Sequence, residues 1–190
     1  MHVLGILLSA ALQVSAGASL VGNPLLNKVY APREVFPIAQ VCSSGVDAFA
    51  SAALTPLLFL AAGRWPSPTA YWVPVLVLIL IVFTVAISIG VSAVTVYVRD
   101  LRSGMPLIMQ LGLFLTPILY PVSKVPEQFR TIIMLVNPIA GVVEGLRDCL
   151  FYDRAPDPQY TLVAAGASIL YLVGAFALFK RLETGFADVS

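Results

Sequence analysis

The sequence predicts an all-α integral membrane protein with about four full transmembrane helices, a partial one at its N-terminus and a broken helix pair before the last span. Three observations carry this. Hydrophobic residues make up 59% of the chain and charged residues 11%, where a soluble domain carries roughly 25% charge; the mean hydropathy is +0.92. The run from Tyr71 to Tyr97 has no charge at all. The stretch from Thr116 to Phe151 is apolar, yet Pro121, Pro126 and Pro138 interrupt it and Lys124, Glu127, Arg130, Glu144, Arg147 and Asp148 dot it with charge.

Composition also excludes functions. A net charge of +1 offers nothing to nucleic acid. The one histidine, His2, sits at the terminus, so histidine-based catalysis and metal binding lack material. No G-x-x-x-x-G-K-[ST] loop is present, which excludes ATP binding by that device. Cys42 and Cys149 fall near opposite membrane faces in the topology below, so no disulfide between them is expected, and neither has metal-ligand spacing. A membrane-embedded transferase would need clustered His, Asp or Glu near one face, and the sequence has no such cluster. The chain is therefore expected to be no enzyme and to carry no cofactor of its own.

Residues 1–21 are apolar but soft. Without an N-terminal Lys or Arg they fit a membrane helix, or the end of one, better than a signal peptide. In the polar interlude that follows, Asn23-Pro24 is a cap-then-proline helix start and Pro32 is a stop. A short helix over 23–33 that docks outside the membrane and a plain loop both fit it. Residues 38–62 form a span of about 37 Å at ~1.5 Å per residue. Pro56 kinks it, and Asp47 within it would cost on the order of 3 kcal/mol if isolated at mid-bilayer. That carboxylate faces either the bundle or pore, or a neighbouring hydroxyl that holds it as structural glue. A short turn with Arg64, Pro66 and Pro68 leads to the second span, 71–97, with Tyr71, Trp72 and Tyr97 as interfacial aromatics. A charged loop, Arg99-Asp100-Leu101-Arg102, precedes a third span over 105–121. The last span covers 160–179, and Lys180 and Arg181 stop it before a polar tail, 180–190.

Within Thr116–Phe151, Pro126 suits a first helical position with Glu127 in the first turn, where the helix dipole favours an acid. That helix runs to about Val136. Asn137 then caps a second helix that Pro138 opens. Ile139, Val142, Val143, Leu146 and Leu150 recur in it at helical spacing. Two arrangements fit: a helix-break-helix unit that dips into the membrane where protein or a water path surrounds it, and an amphipathic hairpin on the surface. The Lys and Arg residues hard against span ends, Lys28, Arg33, Arg99, Arg102, Lys180 and Arg181, place 22–37, 98–104 and 180–190 in the cytoplasm. The broken pair is then external.

The stretches NPLLNKVYAPREVFPIA, SAVTVYVRDLRSGMPLIMQLGLFLTPILYPVSKVPEQFR and LVNPIAGVVEGLRDCLF together resemble the permease subunits of type-2 ABC exporters, closest to the branch that exports O-antigen, capsule, teichoic acid and related lipid-linked glycans. The resemblance covers roughly residues 15 to 185. It implies a multi-pass protein of the bacterial inner membrane that works as a homodimer with a separate ATPase subunit, which binds ATP and Mg, and that moves a lipid-linked polysaccharide. An exporter of drugs or small lipids is the alternative within transport. The resemblance makes the helix at 23–33 the coupling element, with Lys28, Tyr30 and Arg33 as ATPase contacts and Arg99 and Asp100 beside them. Helices 126–136 and 138–151 become re-entrant external gate helices, with Tyr120, Pro126, Asn137, Pro138, Glu144 and Arg147 as gate residues. Asp47, Phe114 and Tyr120, with Tyr30 and Phe129, become candidates for the translocation path; aromatic belt or packing roles fit the aromatics as well. Glu144, Arg147 and Asp148 are expected to hold the gate through polar contacts, with Arg147 screening the two acids. Relative to the family the chain begins inside the second span, which implies a fragment, a misassigned start or a natural truncation, with a non-transporting remnant as the second alternative.

Overall fold

The computed structural model describes residues 68–97 and 125–183, with isolated positions at 38, 42, 104, 107 and 122. A 3-10 turn, Pro68–Trp72, leads into α1, Val73–Tyr97; α2 is Glu127–Val136, α3 is Pro138–Phe151 and α4 is Pro158–Glu183. The regular elements among the described residues are all helices, without strands. Among them, α1 with its leading turn and α4 are the two helices long and apolar enough to cross a membrane.

Local sequence sets each boundary. Pro74 has no amide to donate and sits in the first turn of α1, where none is required. Upstream of it, residues 68–72 wind as a 3-10 turn rather than joining the expected span at Tyr71. At α4, Asp157 accepts the Gln159 amide on its Oδ1 at 2.8 Å, and its carbonyl takes the Thr161 amide at 3.0 Å. Pro158 follows as the first helical residue. This cap-then-proline start carries α4 back to 158, ahead of the expected 160. Lys180 and Arg181 lie in its last turn, where cations complement the helix dipole, so the helix runs through them rather than stopping at 179.

Four pairings give the relation of α1 to α4. Leu76 shares a core with Ala164, and the Phe83 ring lies edge-on to Tyr171 at 5.6 Å. A Cβ on Gly90 would sit 3.6 Å from that of Ala175, and Ala93 packs with Phe179. The partners advance together, so the two helices run parallel. Each rises about 38 Å at ~1.5 Å per residue, more than the ~30 Å hydrocarbon layer. The segments 68–72 and 152–157 therefore lie at one end of the helix pair and Lys180 and Arg181 at the other. The outward faces, Val75, Leu78 and Ile81 on α1 and Leu162, Ile169, Val173 and Phe176 on α4, are exposed and aliphatic or aromatic. A helix apolar on all sides suits lipid, not water.

The readings of residues 1–21, 23–33, 38–62 and 105–121 fall outside the described residues.

Candidate functional site

The α2–α3 pair bends by 113° at Asn137. In an unbroken helix the carbonyls of Met134, Leu135 and Val136 would accept amides four residues on. Pro138 has no amide. The Ile139 amide turns instead to Asn137 Oδ1 at 3.2 Å, and the Ala140 amide to the Asn137 carbonyl at 3.0 Å. The Asn137 amide still closes α2 on the Ile133 carbonyl at 2.7 Å. Asn-Pro thus ends one helix and starts the next within two residues. Pro126 occupies the cap of α2, with extended backbone, and Glu127 is the first helical residue, one position later than the sequence suggests. Arg130 Nε holds the entry turn by donating to the Val125 carbonyl at 2.8 Å. Its pairing with Glu127 at 3.7 Å is mostly exposed and worth little.

The two helices differ in what surrounds them. Most of α3 is buried. Ile139, Val142, Val143, Leu146 and Cys149 form one core with Leu76, Ile79 and Phe83 of α1 and Ala164 of α4. Two glycines allow this close approach. A Cβ on Gly141 would lie 3.0 Å from Ala164 Cβ and 3.1 Å from the Tyr160 carbonyl oxygen, and one on Gly145 would lie 3.0 Å from the end of the Leu76 side chain. Thr69 Oγ1 donates to the Cys149 carbonyl at 3.2 Å, which ties the end of α3 to the turn before α1. In contrast α2 buries only Met134, and Phe129, Ile132, Leu135 and Val136 stay exposed.

The corner between them is deep. Val136 receives a hydrogen bond from the Tyr171 hydroxyl at 3.1 Å. Tyr171 lies about 20 Å along α4 from Pro158 at ~1.5 Å per residue, and its side chain leans back toward the start of the helix. The other end of α3 meets Thr69, where α1 begins. So α3 runs from the middle of α4 back to the turn that precedes α1. Beside the corner is an open apolar groove of about 600 Å³ lined by Gly90, Val94, Leu135, Val136, Gly174 and Leu178, among others.

The charges cluster in the outer turns of α3. Arg147 and Glu144 form an ion pair with side chains only 8% and 16% exposed. Asp148 stands beside them, its carboxyl pushed above the ordinary range by burial first and by Glu144 second, with Arg154 and Arg147 opposing and Asp157 adding to the rise. The expected grouping of Glu144, Arg147 and Asp148 is therefore present, with Arg147 committed to Glu144. A raised carboxyl pKa means the fold disfavours the charged form. The associated stability is complete below the unfolded value, about 3.9, and declines as pH rises through the folded value. Asp148→Asn is thus expected to raise the apparent melting temperature at neutral pH, with the gain vanishing as pH falls to the ordinary Asp range. Thermal unfolding of the purified variants across pH measures this.

Of the residues expected at the gate or path, Pro126, Phe129, Asn137, Pro138, Glu144 and Arg147 belong to this hairpin. Lys28, Tyr30, Arg33, Asp47, Arg99, Asp100, Phe114 and Tyr120 lie outside the described residues. Sequence reasoning missed Thr69, Tyr171 and the two glycines. The spacing Gly141-x-x-x-Gly145 was a readable sign of close helix packing; the other two act through the fold alone. Among the described residues no cluster of His, Cys, Asp or Glu forms a metal site, and both Cys42 and Cys149 are free thiols.

Comparison with known proteins bears on this arrangement. The family model described as the ABC-2 type transporter matches residues 4–151. The chain is 30% identical over 178 residues to an O-antigen export system permease protein RfbA of Myxococcus xanthus, covering 92% of this chain and 68% of that protein. Two proteins of the same name from Klebsiella pneumoniae are 28% and 27% identical over 166 residues, covering 87% of this chain and 63% of theirs. The chain thus spans about two thirds of the length of these relatives.

Proposed function

Because the chain belongs to the ABC-2 type transporter family and is a multi-pass inner-membrane permease subunit, we propose that it forms the path by which an ATP-driven exporter moves a lipid-linked, O-antigen-type polysaccharide across the membrane. The observation that carries this reading is the asymmetry of the hairpin. One arm, α3, is buried and tied to both spans, while the other, α2, stands largely uncovered beside an open groove. Such a unit can open and close without unfolding, and it lies at the external end of the spans. It holds no catalytic group, so its motion is driven from elsewhere. The drive comes from a separate ATPase subunit that binds ATP and Mg and docks on the cytoplasmic side at 23–33 and at Arg99 and Asp100. Two copies of the permease enclose the path. The substrate class rests on the relatives, whose names are those of O-antigen exporters. A polysaccharide presents hydroxyls and sugar faces that stack on aromatic rings, a need met by low charge and uncovered aromatics such as Phe129.

The test is co-purification of the permease with a candidate ATPase subunit, followed by ATPase assays with and without lipid-linked glycan. A stable complex whose hydrolysis the glycan stimulates is expected. A complex that responds to small lipids or drugs and not to glycan would replace the substrate assignment.

A further inference from the structure

We propose that Tyr171 is the positioning residue of the hairpin, a latch whose hydroxyl sets where the α2–α3 corner stands within the membrane. The Asn137–Pro138 break deprives the Val136 carbonyl of its helical amide, because Ala140 bonds to Asn137 instead. At that depth a carbonyl without a partner is costly, and the Tyr171 hydroxyl supplies one from a different helix at 3.1 Å. The phenol is itself aimed by Phe83 of α1, whose ring meets it edge-on at 5.6 Å and 76°. One side chain therefore links both spans to the corner. Leu135 and Val136, the last turn of α2, also line the open groove of about 600 Å³ beside it. The corner thus borders an open apolar groove. The other contact of α2 with α4 is apolar, Met134 and Ile133 packing near Tyr160 and Val163, so the Tyr171 bond adds the directional contact at the corner itself. The latch selects between a raised and a lowered α2 and leaves α3 in place. Its bearing on export rests on the gate reading above.

Tyr171→Phe keeps the ring and its contact with Phe83 and removes only the donor. Amide hydrogen exchange of the full chain in lipid nanodiscs is the readout. The latch predicts exchange about threefold to tenfold faster over 131–137, the ratio carried by one such hydrogen bond, with 138–151 and 158–183 unchanged. A merely structural tyrosine would loosen α3 and α4 as well, or alter nothing, and either result overturns the proposal. Export by the same variant is scored separately. Faster exchange at 131–137 with unchanged export would leave the latch standing and remove the gate; unchanged exchange removes the latch whatever export does.

Discussion

Arg147→Ala is expected to destabilise the hairpin by about 3–5 kcal/mol, the usual result of stripping one partner from a buried ion pair. Arg147 and Glu144 are both largely withdrawn from solvent, so removing the guanidinium leaves a carboxylate with neither water nor a counter-charge. The neighbouring carboxyl makes matters worse, since Glu144 already repels Asp148. Substituting both partners, as Arg147→Met with Glu144→Leu, is expected to recover most of the loss, because the uncompensated charge is then gone. The buried thiol of Cys149, two residues away, is a native reporter. In a Cys42→Ser background its modification rate should rise strongly in Arg147→Ala and return toward the parent in the double variant. Equal rates in single and double variants would show that the pair does not hold α3.

Gly141→Ala is expected to separate α3 from α4. The added methyl would meet the Ala164 Cβ at 3.0 Å and the Tyr160 carbonyl oxygen at 3.1 Å, and both atoms are fixed to the backbone of α4. Overpacking of this kind costs about 1–3 kcal/mol, against roughly 1 kcal/mol gained from replacing a helical glycine. The same change at Gly145 is the control. Its nearest neighbours are the terminal methyls of Leu76 at 3.0 and 3.1 Å, ends of a side chain that can shift, with Pro156 Cβ next at 3.3 Å, so Gly145→Ala should cost less than Gly141→Ala. The apparent melting temperature of each purified variant makes the comparison. A Gly145 variant as damaged as the Gly141 variant would mean that α3 meets α1 as rigidly as it meets α4.

The hairpin was readable from sequence because its signals are local. Asn137-Pro138 carries its own cap and its own missing amide, and the predicted limits of α3 match those observed. Where limits moved, the cause was also local: Asp157-Pro158 lengthened α4 backwards, and Pro68 with Pro74 turned the start of the second span into a 3-10 turn. Periodicity could not choose between a re-entrant and a surface hairpin. Both bury one apolar face, and the difference lies in what that face meets. The Tyr171 bond to Val136 is the contact that favours the re-entrant reading, and nothing in the local sequence distinguishes Tyr171 from any other tyrosine in a span. Thr69 is similar, since its partner carbonyl lies 80 residues away. The charged trio was visible as a spacing, but only packing showed that Arg147 and Glu144 are buried as a pair while Asp148 bears the cost.

The central claim is that α2 moves against a fixed α4 when a partner ATPase turns over. Spin labels at Gln128 on α2 and Gln159 on α4, both exposed positions, report that separation directly by pulsed dipolar spectroscopy. In the full permease assembled with its ATPase, the distance distribution should shift between the nucleotide-free and ATP-trapped states, while a control pair on α3 and α4 stays constant. An unchanged Gln128–Gln159 distribution across those states would contradict the gate.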